Sequence, residues 1–108
     1  MPKIPKIITF SALLLMGTPA LAAAPGPDRV KELTHFVRQE CGFCHGLQLT
    51  GGLGSSLTSA ALRDKPSEAL IAATLYGLPG TAMPGWAPFL SVDDASWIVN
   101  TLKKGFPQ

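Results

Sequence analysis

The strongest constraint in this sequence is Cys41-Gly42-Phe43-Cys44-His45, a C-x-x-C-H run that holds both cysteines of the chain and one of its two histidines. A short chain whose only thiols stand three positions apart beside an imidazole must build its core around whatever those groups hold. At a helix start, the two thiols can each add to one vinyl group of a haem, and the adjacent His45 then points its imidazole at the iron from the same face. Covalent capture also anchors a cofactor in a chain too small to enclose it fully. A thioredoxin-like dithiol and a structural disulfide use the same spacing. The dithiol should follow a strand in a βαβ unit, and alternating strand patterns are absent here. Zinc is a poorer match, because four ligands are usual and only two cysteines and one well-placed histidine are available. The motif therefore points to one covalent haem c, with Cys41 and Cys44 as thioether anchors and His45 as an axial ligand.

At 108 residues the chain holds one small domain, which excludes a two-domain enzyme. Hydrophobic residues make up 46%, charged residues 15%, and the formal charge is +2, so neither charge-driven disorder nor a basic nucleic-acid surface is indicated. The front of the chain is different in kind. Lys3 and Lys6 precede the apolar run from Ile7 to Met16, and Ala20-Leu21-Ala22 supplies an A-x-A cleavage site, with Ala22-Ala23-Ala24 as an alternative. Residues 1–22 thus read as a cleaved signal peptide, with the mature domain over residues 23–108 beginning near Ala23. The apolar run is too short for a permanent membrane span. The leader holds two of the nine basic residues and none of the seven acidic ones, so the mature protein is neutral and its charge argues for no anionic partner. Export places the protein in the periplasm, where c-type assembly occurs. A mature domain this small commonly depends on a disulfide, a metal or a prosthetic group for stability.

Within the mature chain the patterns are helical. Pro25-Gly26-Pro27 forms a stiff leader, Asp28 is a good N-cap, and Val30, Leu33 and Val37 make one apolar stripe leading to Cys41 and Cys44. His35 falls on the opposite face and reads as solvated. From Gly46 to Pro66 the pattern dissolves apart from a brief helical turn around Ser59 to Leu62, and so long a loop in a compact domain hints that it wraps a bound group. Ser67 is placed to cap a helix through Tyr76 that Gly77 and Pro79 stop. Ser91 and Asp94 form a capping-box pattern before the stripe Ala95, Ile98, Leu102, and Lys103, Lys104, Gly105 and Pro107 close that helix. The fold is expected to be all-α, with three main helices and two long loops.

A haem iron held by His45 has one further axial position. Met1 is the initiator and Met16 lies in the leader, so Met83 is the one methionine of residues 23–108. It stands in Gly80-Thr81-Ala82-Met83-Pro84-Gly85-Trp86, where Pro84 keeps its backbone extended and the glycines let the loop fold close against a flat ring. An isolated methionine is often core filler, but one in a Pro/Gly loop has no helical stripe to fill. His45 and Met83 are the expected axial pair. Such ligation raises the reduction potential and leaves no open site for peroxide or a gas, so one-electron transfer and not catalysis is expected. A detached Met83 would instead give a haem-based peroxidase or gas sensor.

These residues resemble the class I cytochromes c, in which C-x-x-C-H lies near the N-terminus and a methionine loop supplies the distal ligand. More narrowly, the chain is similar to the small monohaem cytochromes c encoded beside cd-type nitrite reductase in denitrifying bacteria. Cys41 to Gly46, Gly51-Gly52-Leu53-Gly54, Lys65 to Leu70, Gly77 to Trp86 and Gly105-Phe106-Pro107 carry the resemblance over nearly the whole mature chain. It implies a carrier whose partner is a redox protein, cd-type nitrite reductase being the candidate; a monomer is expected, and the charge balance argues against nucleic acid. The carrier would serve either electron supply to that reductase or electron handling in the maturation of its special haem. It also implies that a backbone carbonyl in the Gly-rich loop receives the ring N–H of His45. Many class members have proline after the glycine corresponding to Gly54, whereas this chain has Ser55. The first and last helices should cross near the haem edge, giving Phe36, Trp97 and Ile98 a packing role. Trp86, Trp97, Tyr76, Arg63 and Arg38 are candidates to contact the haem propionates, weighed against packing for the tryptophans and solvation for the rest.

Overall fold

The first helix begins two residues earlier than its capping chemistry predicts. In the computed structural model, which describes residues 2–7, 12–14, 16–17 and 24–107, helix α1 spans Pro27–Phe36. Gly26, with extended backbone, holds the cap position and Pro27 the first helical one, where its missing N–H costs nothing. Asp28 is therefore not the cap but a first-turn residue, favourable to the helix dipole. Much of the leader's apolar run and the cleavage site at Ala20-Leu21-Ala22 lie outside the described residues, as does most of the alternative site.

No break separates α1 from the C-x-x-C-H motif, yet the path is not a plain α-helix. Val37–Cys41 forms a π-helical turn in which the Gly42 N–H donates to the Val37 carbonyl, and α2 (Gly42–His45) follows directly. The extra residue in that turn shifts the register between the buried stripe of α1 and the motif. The two cysteines thus sit at the C-terminal end of a helical segment, not at a helix start. Gly46, at φ +91°, ends it.

Helix α3 (Ser59–Leu62) falls where a brief helical turn is expected, with the Thr58 hydroxyl accepting from the Ala61 N–H. Helix α4 spans Ser67–Tyr76, with Pro66 and not Ser67 in the cap position, because proline keeps the preceding backbone extended and pre-sets the first turn. Helix α5, Val92–Lys104, opens on the expected capping box: the Asp94 N–H donates to the Ser91 hydroxyl and the Ser91 N–H to the Asp94 carboxylate, both at 3.0 Å. No strand occurs among the described residues, so the architecture is all-α.

One core joins the ends of the chain. Leu33 and Val37 from the first helical segment share it with Ala95, Ile98 and Leu102 of α5 and with Leu49, Leu62, Leu75 and Leu90. The α5 stripe is buried there in full, and Leu33 and Val37 of the first stripe with it, whereas Val30 is half-buried outside the core and His35 is exposed. Helix α5 packs on α3 and α4. Phe36 meets Trp86 edge to face at 5.0 Å between centroids, and Trp97 meets Phe106 in the same manner at 6.4 Å.

The N-terminal ends of α1 and α5 are tied by charge. Arg29 donates from Nε (3.2 Å) and Nη2 (2.7 Å) to the two oxygens of Asp94, a buried carboxylate that also completes the capping box. Arg29 also donates to the Phe89 carbonyl and to Glu32. The guanidinium holds the Asp94 carboxyl below its ordinary range, and Asp94 with Glu32 raises Arg29 further still.

Candidate functional site

Between the end of the first helical segment, the loop before α4, α4 itself and the loop after it lies a cavity of about 690 Å³. Cys41, Cys44, His45 and Met83 all line it, so residues separated by up to 42 positions in the chain meet around one cavity. The long loop expected to wrap something contributes Leu53, Gly54, Ser55 and Leu57. Helix α4 serves two sides: Leu70, Ala73 and Thr74 line the cavity, while Leu75 is buried in the core.

His45 is held by backbone. Its Nδ1 lies 2.7 Å from the Ser55 carbonyl oxygen, which can only accept, so Nδ1 carries the proton and Nε2 keeps its lone pair. The loop that brings this carbonyl into place is pinned to the motif: the Gly54 N–H donates to the Cys44 carbonyl at 2.7 Å and the Gly51 N–H to the His45 carbonyl at 2.8 Å. A side chain at position 54 is excluded, since a Cβ there would stand 2.8 Å from ring atoms Cε1 and Nδ1 of His45. The carbonyl acceptor implied by the class resemblance is thus supplied by Ser55, where many class members have proline. A backbone oxygen is indifferent to that exchange.

The methionine loop is fixed on the opposite flank by the same means. The Trp86 N–H donates to the Thr74 carbonyl and the Ala87 N–H to the Leu75 carbonyl, docking the loop on the last turn of α4. Gly77, at φ +74°, would drive a Cβ to 2.6 Å from the Met83 carbonyl oxygen, and one on Gly85 would reach 2.7 Å from that of Leu75. Thr81 bridges the turn, donating from its hydroxyl to Leu78 and accepting from the Met83 N–H.

The thiols are free, and burial first, then Glu40 and Cys44, push the Cys41 thiol up to about 11. A protonated, raised thiol is the reverse of what a redox dithiol needs. Among the described residues no three His, Cys, Asp or Glu side chains converge as a metal-ion site. The donor set instead fits a haem: two thiols for its vinyl groups, a nitrogen and a thioether sulfur for its iron, and apolar walls for its ring. The volume is in the range of cofactor pockets, roughly 300–1,000 Å³.

Of the residues weighed as propionate contacts, only Trp86 reaches the cavity wall. Tyr76 is 73% exposed and Arg63 is exposed on the surface. Arg38 lies over the Phe106 ring at 5.4 Å and donates to the Leu47 carbonyl, and Trp97 packs on Phe106. The wall carries a cation that sequence reasoning passed over, Lys65. Its isolation in a loop gave no signal.

Comparison with known proteins follows the same line. A family model described as cytochrome c oxidase, cbb3-type, subunit III matches residues 28–100. Cytochrome c55X of Paracoccus denitrificans (strain Pd 1222) is 54% identical over 92 residues, covering 85% of this chain and 88% of the relative. Among solved structures, the c-type cytochrome NirC superposes with a TM-score of 0.73 at 54% identity, covering 74% of this chain and 94% of that one. Dihydro-heme d1 dehydrogenase NirN, solved in complex with DHE, gives a TM-score of 0.62 at 31% identity, covering 68% of this chain and 16% of the much longer NirN chain.

Proposed function

From the premise that this chain belongs to the cytochrome c family, we propose that it is a periplasmic one-electron carrier with a single covalent haem c, serving nitrite respiration. The observation that carries the reading is the convergence of Cys41, Cys44, His45 and Met83 on one apolar cavity, with the Nδ1 proton of His45 committed to Ser55. Cys41 and Cys44 form the thioether anchors, and two thiols suffice for one haem. His45 through Nε2 and Met83 through its thioether sulfur would hold the iron, and the glycine-backed loops fix the backbone of both. The haem supplies a ferric/ferrous couple, which a sulfur ligand biases toward the ferrous form. A haem held by both residues would offer peroxide and gases no open coordination site, which makes the chain a carrier and not an enzyme.

Optical spectra test this directly. The ferric protein should show a near-infrared sulfur-to-iron band that disappears in Met83→Ala. A high-spin ferric resting spectrum would overturn the carrier in favour of a peroxidase or gas sensor, and the absence of a pyridine haemochrome after expression with the c-type assembly machinery would point to a disulfide module. The leader over residues 1–22 directs export, and the mass of the secreted protein should place its first residue near Ala23. No helix among the described residues is long and apolar enough to cross a membrane.

The relatives support the narrower role. NirC is a c-type cytochrome, and NirN, a dihydro-haem d1 dehydrogenase, includes a part that resembles this chain. The carrier serves a cd-type nitrite reductase either by supplying its electrons or by handling electrons while its special haem matures. Reconstitution with and without the protein, scoring nitrite reduction and haem maturation separately, distinguishes the two. If neither responds, the assignment to nitrite respiration fails while the carrier stands.

A further inference from the structure

Lys65 is the one lysine or arginine on the cavity wall, and its only charged company there is Glu40, next to Cys41 in the chain. Its backbone is fixed on three sides. The Lys65 N–H donates to the Leu62 carbonyl at 3.1 Å, the Lys65 carbonyl accepts from Lys103 Nζ at 2.6 Å, and Pro66 holds residue 65 extended. Lys103 donates from the same ammonium to the Ser67 hydroxyl at 3.3 Å, so the last turn of α5 clamps both sides of this turn. Such a tether does more than complement the dipole of α5, because it sets where the Lys65 side chain starts. Among the described residues the Lys65 ammonium itself has no ion pair or hydrogen bond, although Arg29 has found two carboxylates. An exposed lysine held at its base, unpaired at its tip and lining a mainly apolar cavity can reach an anionic group of the cavity's occupant at the solvent edge.

We propose that Lys65 is the positioning residue for a haem propionate, pairing its ammonium with one of the two carboxylates that a haem carries into an apolar pocket. This rests on the haem reading given above. Lys65 neutralises a charge that the apolar wall solvates poorly, orienting the ring. The ammonium also opposes the additional positive charge of ferric iron and so raises the reduction potential.

The test is made on the holoprotein. Lys65→Met keeps the aliphatic stem and removes the charge; Lys65→Arg keeps the charge. Spectroelectrochemistry should find the potential lowered in Lys65→Met and restored toward the parent value in Lys65→Arg, and the resonance Raman propionate bending mode should shift in the first and not in the second. An intact haemochrome with parent potential and parent propionate mode in Lys65→Met would overturn the proposal while leaving the carrier reading in place. Equal changes in both variants would also overturn it, since they would report packing by the stem and not charge. A parent protein without haem would remove the reading on which the proposal rests.

Discussion

At the scale of single residues, the site depends on glycines that let backbone touch side chain. Gly54 lies against the His45 ring so closely that an alanine methyl would stand 2.8 Å from it. Gly54→Ala should displace the imidazole and weaken its bond to the Ser55 carbonyl, costing about 1–3 kcal/mol of holoprotein stability by overpacking. With His45 as the proposed iron ligand, the potential should rise in the same variant, because the bond to Ser55 would make the imidazole a stronger donor and so favour ferric iron. Ser55→Ala should leave both quantities near the parent values, since the acceptor is main chain; thermal melts and spectroelectrochemistry on the two variants check the pair. The motif itself was legible in the sequence because its spacing is local. The oxygen facing His45 was not, because it belongs to a loop whose path depends on hydrogen bonds to Cys44 and His45.

At the scale of elements, the first helical segment joins α5 through Leu33 and Val37 on one side, the stripe Ala95, Ile98, Leu102 on the other, and one charged clamp. The clamp has a definite pH dependence. Asp94 titrates below its unfolded value, mainly through Arg29, so the stability it adds is complete above the unfolded carboxylate pKa of about 3.9 and is lost as pH falls through the lower, folded value. Arg29→Ala leaves a buried carboxylate with only its cap bonds and should cost about 1–3 kcal/mol at pH 7. The deficit relative to the parent should shrink on acidification, as urea melts at pH 7 and pH 3 would record; an equal deficit at both would assign the loss to packing. Sequence periodicity located all three main helices and the capping box of α5, since those are properties of neighbouring residues. It placed the cap of α1 two residues late and that of α4 one residue late, because at each of those ends a proline with fixed φ outweighs a side-chain hydrogen bond. It missed the π-helical turn at Val37–Cys41, which no local pattern distinguishes from α-helix.

At the scale of the whole molecule, the cavity is as much a core as the buried leucines are. Its walls come from the first helical segment, both long loops, α4 and α5, and without a captured ring their apolar faces have no common partner. The double variant Cys41→Ser with Cys44→Ser should therefore retain helical far-ultraviolet circular dichroism while losing near-ultraviolet signal and cooperative unfolding. A sharp melt equal to that of the parent would show that the helices pack sufficiently by themselves. The amino-acid sequence alone determined the helix positions, the family and the four residues expected at the haem, because capping, periodicity and the C-x-x-C-H spacing are encoded within a few turns of chain. Tertiary structure alone decided which carbonyl faces His45, that Lys65 and not Arg38, Arg63 or Tyr76 stands on the cavity wall, and how α5 reaches back through Lys103 to fix it. Those outcomes depend on where distant segments meet, and that is set by the packing of the whole core.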